Sequence, residues 1–132
     1  MTDASKEMIK AAKAGDIEKA RHLLNTDEHL IDARDKDGST ALHCATWKGH
    51  QRMVAFLLRS GAEVNARNQN EHWGTTPLHA AAHANQVAIA EMLIEHGADV
   101  NATDMNGKTP LYHTSFHKAK ATAKVLEKNG AR

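Results

Sequence analysis

The chain has little of what several protein classes depend on. Its single cysteine, Cys44, excludes an internal disulfide and a Cys-x-x-Cys zinc pair, and makes a reducing, cytoplasmic setting the expectation. No apolar run approaches the length of a membrane-spanning helix, and the opening MTDASKEMIK is too charged for the apolar segment of a secretory leader. Neither sign of charge dominates: 17 Lys plus Arg stand against 16 Asp plus Glu, a formal net charge of +1. That balance disfavours wrapping a nucleic-acid backbone. GxGxxG, GxxxxGK[ST] and GxSxG are all missing, so neither a phosphate cradle nor a nucleophile elbow is predicted. The reading is therefore not an enzyme, with no cofactor. Aromatic residues are only 4% of the chain, two Trp, two Phe and one Tyr, so the placement of each carries information.

What is present is a period. Residues 40–66, TALHCATWKGHQRMVAFLLRSGAEVNA, match residues 76–102, TPLHAAAHANQVAIAEMLIEHGADVNA, without a gap. A third copy, TPLYHTSFHKAKATAKVLEKNGAR, begins at Thr109, and a weaker one, KEMIKAAKAGDIEKARHLLNTDEHLIDA, begins at Lys6. Within each strong copy the chemistry reads as two helices. Thr40, Thr76 and Thr109 suit an N-cap, and Pro77 and Pro110 fall at the first helical position, where no amide donor is lost. Small residues such as Ala45, Ala80, Ala81 and Ala82 dominate the first helix and permit close approach of a neighbour. Met53, Val54, Phe56, Leu57 and Leu58, or Val87, Ile89, Met92, Leu93 and Ile94, give the second helix its larger apolar face. Gly61, Gly97 and Gly130 follow where a left-handed residue ends that helix, and Gly38, Gly74 and Gly107 mark the turn before the next copy.

A period of about 33 residues carrying TPLH followed by alanines resembles the ankyrin repeat family. The resemblance covers the whole chain and implies an all-α solenoid of four helix-turn-helix repeats with projecting hairpin loops. The boundaries are 4–36 for an N-terminal cap, 37–68 and 69–104 for the interior, and 105–132 for a C-terminal cap. Lys19 and His22, where the second copy has Met53 and Phe56, and Lys120, where the third has Val87, fit caps with a solvated side. The resemblance further implies non-catalytic protein binding through the concave face and loop tips, to a partner the sequence does not identify. It makes His43 and His79 structural residues that bridge neighbouring loops. It also makes Asn65 and Asn101 turn residues at the position that can be hydroxylated in animal members.

Transferred position by position, the family's variable helix sites are Lys13, Ala14, Trp47, Lys48, His83, Ala84, Phe116 and His117. The tips are Lys36, Asp37, Ser39, Met105, Asn106 and Lys108. One loop departs from the pattern. From Asn65 to Thr76 the chain takes three more steps than from Asn101 to Thr109, so QNEHW contains an insertion. It carries His72 and Trp73 toward the same surface. The expected partner-binding set is Trp47, Lys48, His72, Trp73, His83, Met105, Phe116 and His117, with Trp enriched at binding hot spots. His83 is expected to face outward.

The ten histidines invite a metal, since His79 with His83 and His113 with His117 share the i, i+4 spacing of one helical face. HAAAH lacks the glutamate of a zinc hydrolase, and no metal site is predicted. Cys44 reads as a small core residue. Lys120, Lys124 and Lys128 form a stripe near the C-terminus, opposed there by Glu127 alone. As an alternative function this basic cap binds nucleic acid or another anionic surface, although such a stripe is more often the solvated face of a cap. Self-association through the exposed aromatics is the remaining partner alternative.

Overall fold

The computed structural model describes residues 2–69, 74–116 and 119–132, without the Phe116 side chain. Among these residues eight α-helices form four consecutive pairs: α1 (Asp3–Ala14) with α2 (Ile17–Thr26), α3 (Ala41–Lys48) with α4 (Gln51–Arg59), α5 (Pro77–His83) with α6 (Val87–Glu95), and α7 (Pro110–Phe116) with α8 (Lys120–Lys128). A 3₁₀ turn, Glu28–Asp32, follows α2 and carries Leu30 into the core.

Local chemistry sets the helix ends. Thr40 Oγ1 accepts the His43 N–H at 3.3 Å while His43 Nδ1 accepts the Thr40 N–H at 3.2 Å. The same reciprocal box joins Thr76 and His79, and it satisfies donors that a helix start otherwise leaves unpaired. The first helix of the third pair ends differently from those before it. Gly15 and Gly49 cap α1 and α3 in the left-handed region, whereas Asn85 takes the corresponding place with φ 53°. Asparagine tolerates that conformation, and its Oδ1 accepts the Thr122 hydroxyl at 2.8 Å, tying it to the next pair.

The pairs stack so that α1, α3, α5 and α7 form one row and α2, α4, α6 and α8 another. Between the rows lie Leu42, Met53, Leu57, Leu78, Ile89, Leu93 and Leu126, all essentially inaccessible, with Ala45, Ala81 and Ala82 admitting the adjacent first-row helices. Full burial of each of the larger side chains is worth about 1.5–3 kcal/mol.

The connecting loops are hairpin fingers beside the first row. Asp35 N–H donates to Ser39 O at 2.9 Å and Asp104 N–H to Lys108 O at 2.8 Å, and both closures span four residues. The corresponding bond, Asn68 N–H to Thr75 O, spans seven. The three extra residues are thus confined between Asn68 and Thr75, and the register of the finger base is unchanged. Asn70, Glu71, His72 and Trp73, in this longer loop, lie outside the described residues.

Side chains one repeat apart staple the fingers together. Arg34 Nη1 donates to Gly38 O and Arg67 O, and Arg67 Nη1 donates to Gly74 O and Thr103 O. At Gly38, with φ 76°, an added Cβ would stand 2.4 Å from the Gln69 nitrogen, so the adjoining finger leaves no room for a side chain. Asn65 and Asn101 serve turns as expected, but those of the following copy. Asn65 Nδ2 donates to Gly97 O and its Oδ1 accepts Asp99 N–H, while Asn101 joins Gly130 O and Arg132 N–H in the same way.

Candidate functional site

The fingers and the first helix row enclose a groove. Trp47, near the end of α3, is 50% exposed, and its indole stacks on the His83 imidazole at the end of α5 with centroids 4.8 Å apart. The expectation that His83 faces outward is met only in part, because its ring is half-buried beneath that indole. Next to the stack is a recess of about 290 Å³ bounded by Asn68, His79, His83 and His113. A second recess of about 300 Å³, bounded by Lys13, Asp35, Cys44 and Lys48, adjoins it, and Ser39, His43 and Trp47 line both.

The floor is held by two buried histidines with one hydrogen-bond pattern. His43 Nε2 donates to Thr75 O at 2.8 Å and His79 Nε2 to Lys108 O at 2.9 Å, each carbonyl belonging to the next finger. Nδ1 of each accepts the amide of its own capping threonine, which fixes the neutral tautomer. Burial lowers both to about 4, against the opposing effect of the carbonyl bond. These rings position the fingers and are not available as bases. Cys44 is buried, and burial together with Asp35 pushes its thiol up to about 12, so it is a core group as expected and not a nucleophile.

His113, which spacing pairs with His117, is paired in the structure with Asp104: Nε2 to Oδ2 is 2.9 Å. Burial would raise the Asp104 carboxyl, but bonds from the Lys108 amide, His113 and the Asn106 amide outweigh it and hold the group below its usual value. His79 stands beside this pair, and ligand atoms of His79, Asp104 and His113 lie within 4.8 Å of one another. Their geometry suits a structural network better than a metal centre, because both His79 nitrogens are already engaged by Thr76 and Lys108. A signal for the Asp104–His113 pair existed in the sequence. Asp35 and Cys44 have the same separation of nine residues, and there the thiol lies 3.8 Å from the Asp35 carboxylate.

Of the residues expected to bind a partner, the structure brings Trp47, Lys48 and His83 together at the groove. Met105 sits at the tip of the last finger, 64% exposed, with its side chain against the Gly74 backbone. Phe116 ends α7, in the same row, and its side chain is not among those described. His72, Trp73 and His117 lie outside the described residues. Tyr112 occupies the position held by His43 and His79 in earlier copies, 40% exposed, with the Lys108 ammonium 4.5 Å from its ring centre. Lys120, Lys124 and Lys128 are exposed on α8, in the second row and not the groove row. No described helix is long and apolar enough to cross a membrane.

These paired helices, shared capping boxes and stapled fingers define a repeat protein. The family model for ankyrin repeats (3 copies) matches residues 5–68 and again 65–132, and the chain belongs to the ankyrin-repeat family. Such repeats are in general protein-protein interaction modules, and the family is typically non-catalytic. The chain is similar to human oxysterol-binding protein-related protein 1, 35% identical over 65 residues, which is 48% of this chain and 7% of that protein. It is similar to the probable E3 ubiquitin-protein ligase XBOS32 of Oryza sativa subsp. japonica, 36% identical over 66 residues, 49% of this chain and 13% of that protein. A shorter match, 43% over 49 residues, 37% of this chain and 6% of the relative, is to the mouse serine/threonine-protein kinase TNNI3K. Each alignment thus spans only a small part of the relative.

Proposed function

We propose that this chain is a non-catalytic module that receives a partner protein in the groove formed by its first helix row and its fingers. The observation that carries the reading is the half-exposed Trp47, held by His83 at the meeting point of two recesses. An indole fixed in place loses little conformational freedom on binding and supplies a large contact area, the character of a binding hot spot. Lys48, Met105, Phe116 and His117 extend the contact surface, and His72 and Trp73 of the inserted finger complete it. The kinase and ligase names belong to the relatives alone.

Affinity capture from the native cell with the wild-type chain and with Trp47→Ala tests the reading. The wild type retains a protein stoichiometrically, and Trp47→Ala weakens it by about 2 kcal/mol or more while keeping its helical circular dichroism. Equal affinity for both would remove the groove as the contact surface. Replacement of QNEHW by two turn-forming residues leaves folding intact, because loop closure depends weakly on length, and weakens the same partner.

A further inference from the structure

We propose that the groove takes an extended acidic segment of its partner, with an aromatic or large aliphatic side chain seated beside Trp47 and His83 and flanking carboxylates on Lys13 and Lys48. This refinement rests on the groove reading above. The arrangement of charge carries it. Helices α3, α5 and α7 of the groove wall contain no Asp or Glu, and the acids of α1, Asp3 and Glu7, line neither recess. Lys13 and Lys48 are exposed, line one recess with Trp47, and form no ion pair with any described carboxylate.

The acids of the groove are committed elsewhere. Asp35 Oδ1 accepts the amides of Asp37 and Ser39 at 2.9 and 3.0 Å, and its Oδ2 lies 3.8 Å from the Cys44 thiol. Asp104 likewise accepts the amides of Asn106 and Lys108 and pairs with His113. Asp37, an exposed acid among the described residues of this rim, adjoins Lys36 at a finger tip. Among the described residues, two outward ammonium groups without an ion pair face this recess against one carboxylate, Asp35, that is turned toward amide donors, so the charge offered to a partner there is positive although the whole chain is nearly neutral.

Shape supports the same occupant. The two recesses share Ser39, His43 and Trp47, so they are neighbours along one path. An extended chain advances about 3.3–3.6 Å per residue, which places an anchor side chain and a carboxylate one or two residues away in adjoining recesses. Only a segment bearing both groups uses both recesses at once.

The test is selection of a phage-displayed random dodecapeptide library on the immobilised full chain, followed by fluorescence anisotropy with the enriched peptides made synthetically. The expected sequences carry Asp or Glu within two positions of an aromatic or large aliphatic residue. Their binding weakens about tenfold or more in K13Q/K48Q, further in K13E/K48E, and with rising salt. Circular dichroism confirms that each variant is folded. Peptides that need Trp47 but lack acids, or bind K13E/K48E as tightly as wild type, overturn this refinement and leave the groove reading standing. Acidic peptides indifferent to Trp47→Ala overturn the seating of the anchor, and failure to enrich any sequence overturns the linear-segment occupant. Loss of the native partner's dependence on Trp47, measured separately, is the failure of the groove reading itself.

Discussion

The Trp47 indole and the His83 imidazole, one repeat apart in the chain, stack with centroids 4.8 Å apart and planes 28° from parallel. The contact joins α3 to α5 on the groove side, outside the aliphatic core, so a residue proposed here to meet a partner also ties two repeats together. Stacked ring pairs contribute about 0.5–1.5 kcal/mol beyond the area they bury. Trp47→Ala and His83→Ala are each expected to cost about 1 kcal/mol in urea melts, and the double variant less than their sum. Strict additivity would show that the rings are merely adjacent. The modest cost also separates stability from the larger loss of partner affinity argued above.

The two floor histidines set an acid limit on stability. Burial holds the folded pKa of His43 and His79 at about 4, below the usual 6.5, so between these values the unfolded chain binds the protons. Stability is complete above about 6.5 and falls as pH drops toward 4, by about 1.4 kcal/mol per pH unit for each ring and about 3 kcal/mol each across the window. Around His43, Arg34 opposes protonation and Asp35 favours it; around His79, His113 and Arg67 oppose and Asp104 favours. The depressed Asp104 carboxyl loses its own contribution only at lower pH, below its ordinary 3.8. Urea midpoints at successive pH values between 7 and 4 measure the slope, and His79→Gln is expected to remove about half of it. An unchanged slope in that variant would contradict the assignment.

Thr46 offers a stabilising substitution. Its side chain is fully buried in α3, and its hydroxyl is the buried side-chain oxygen without a hydrogen-bond partner among the described residues. Such a group costs about 1–3 kcal/mol that a methyl of the same shape would not. Thr46→Val is expected to raise stability by about 1 kcal/mol, read as a higher melting temperature with the same circular dichroism. A lower melting temperature would mean that the hydroxyl is in fact satisfied.

The period, the capping threonines and the turn glycines were legible because each acts over a few residues and recurs at one offset. Thr40, Thr76, Gly61 and Gly97 can be assigned from local chemistry alone, and Leu57 and Leu93 follow as wall residues once the copies are aligned. The insertion was countable as well, and the Asn68–Thr75 bond shows why it is tolerated: the finger closes at an unchanged base. The prominence of Trp47 and His83 followed from their offset in the repeat, without any statement of what they touch.

What only the tertiary structure decided is which groups meet across repeats. Spacing along α7 says nothing of the last finger, which folds back to bring Asp104 to His113. Asn65 and Asn101 reach turns roughly one repeat away, which no local window contains. The same holds for the groove. Lys13 and Lys48 come from different repeats, and Asp35 beside them accepts amides that only the finger geometry delivers. Sequence thus fixes what repeats every 33 residues or so, because helix and turn chemistry is local, whereas the unlike residues placed at equivalent positions acquire their partners from stacking.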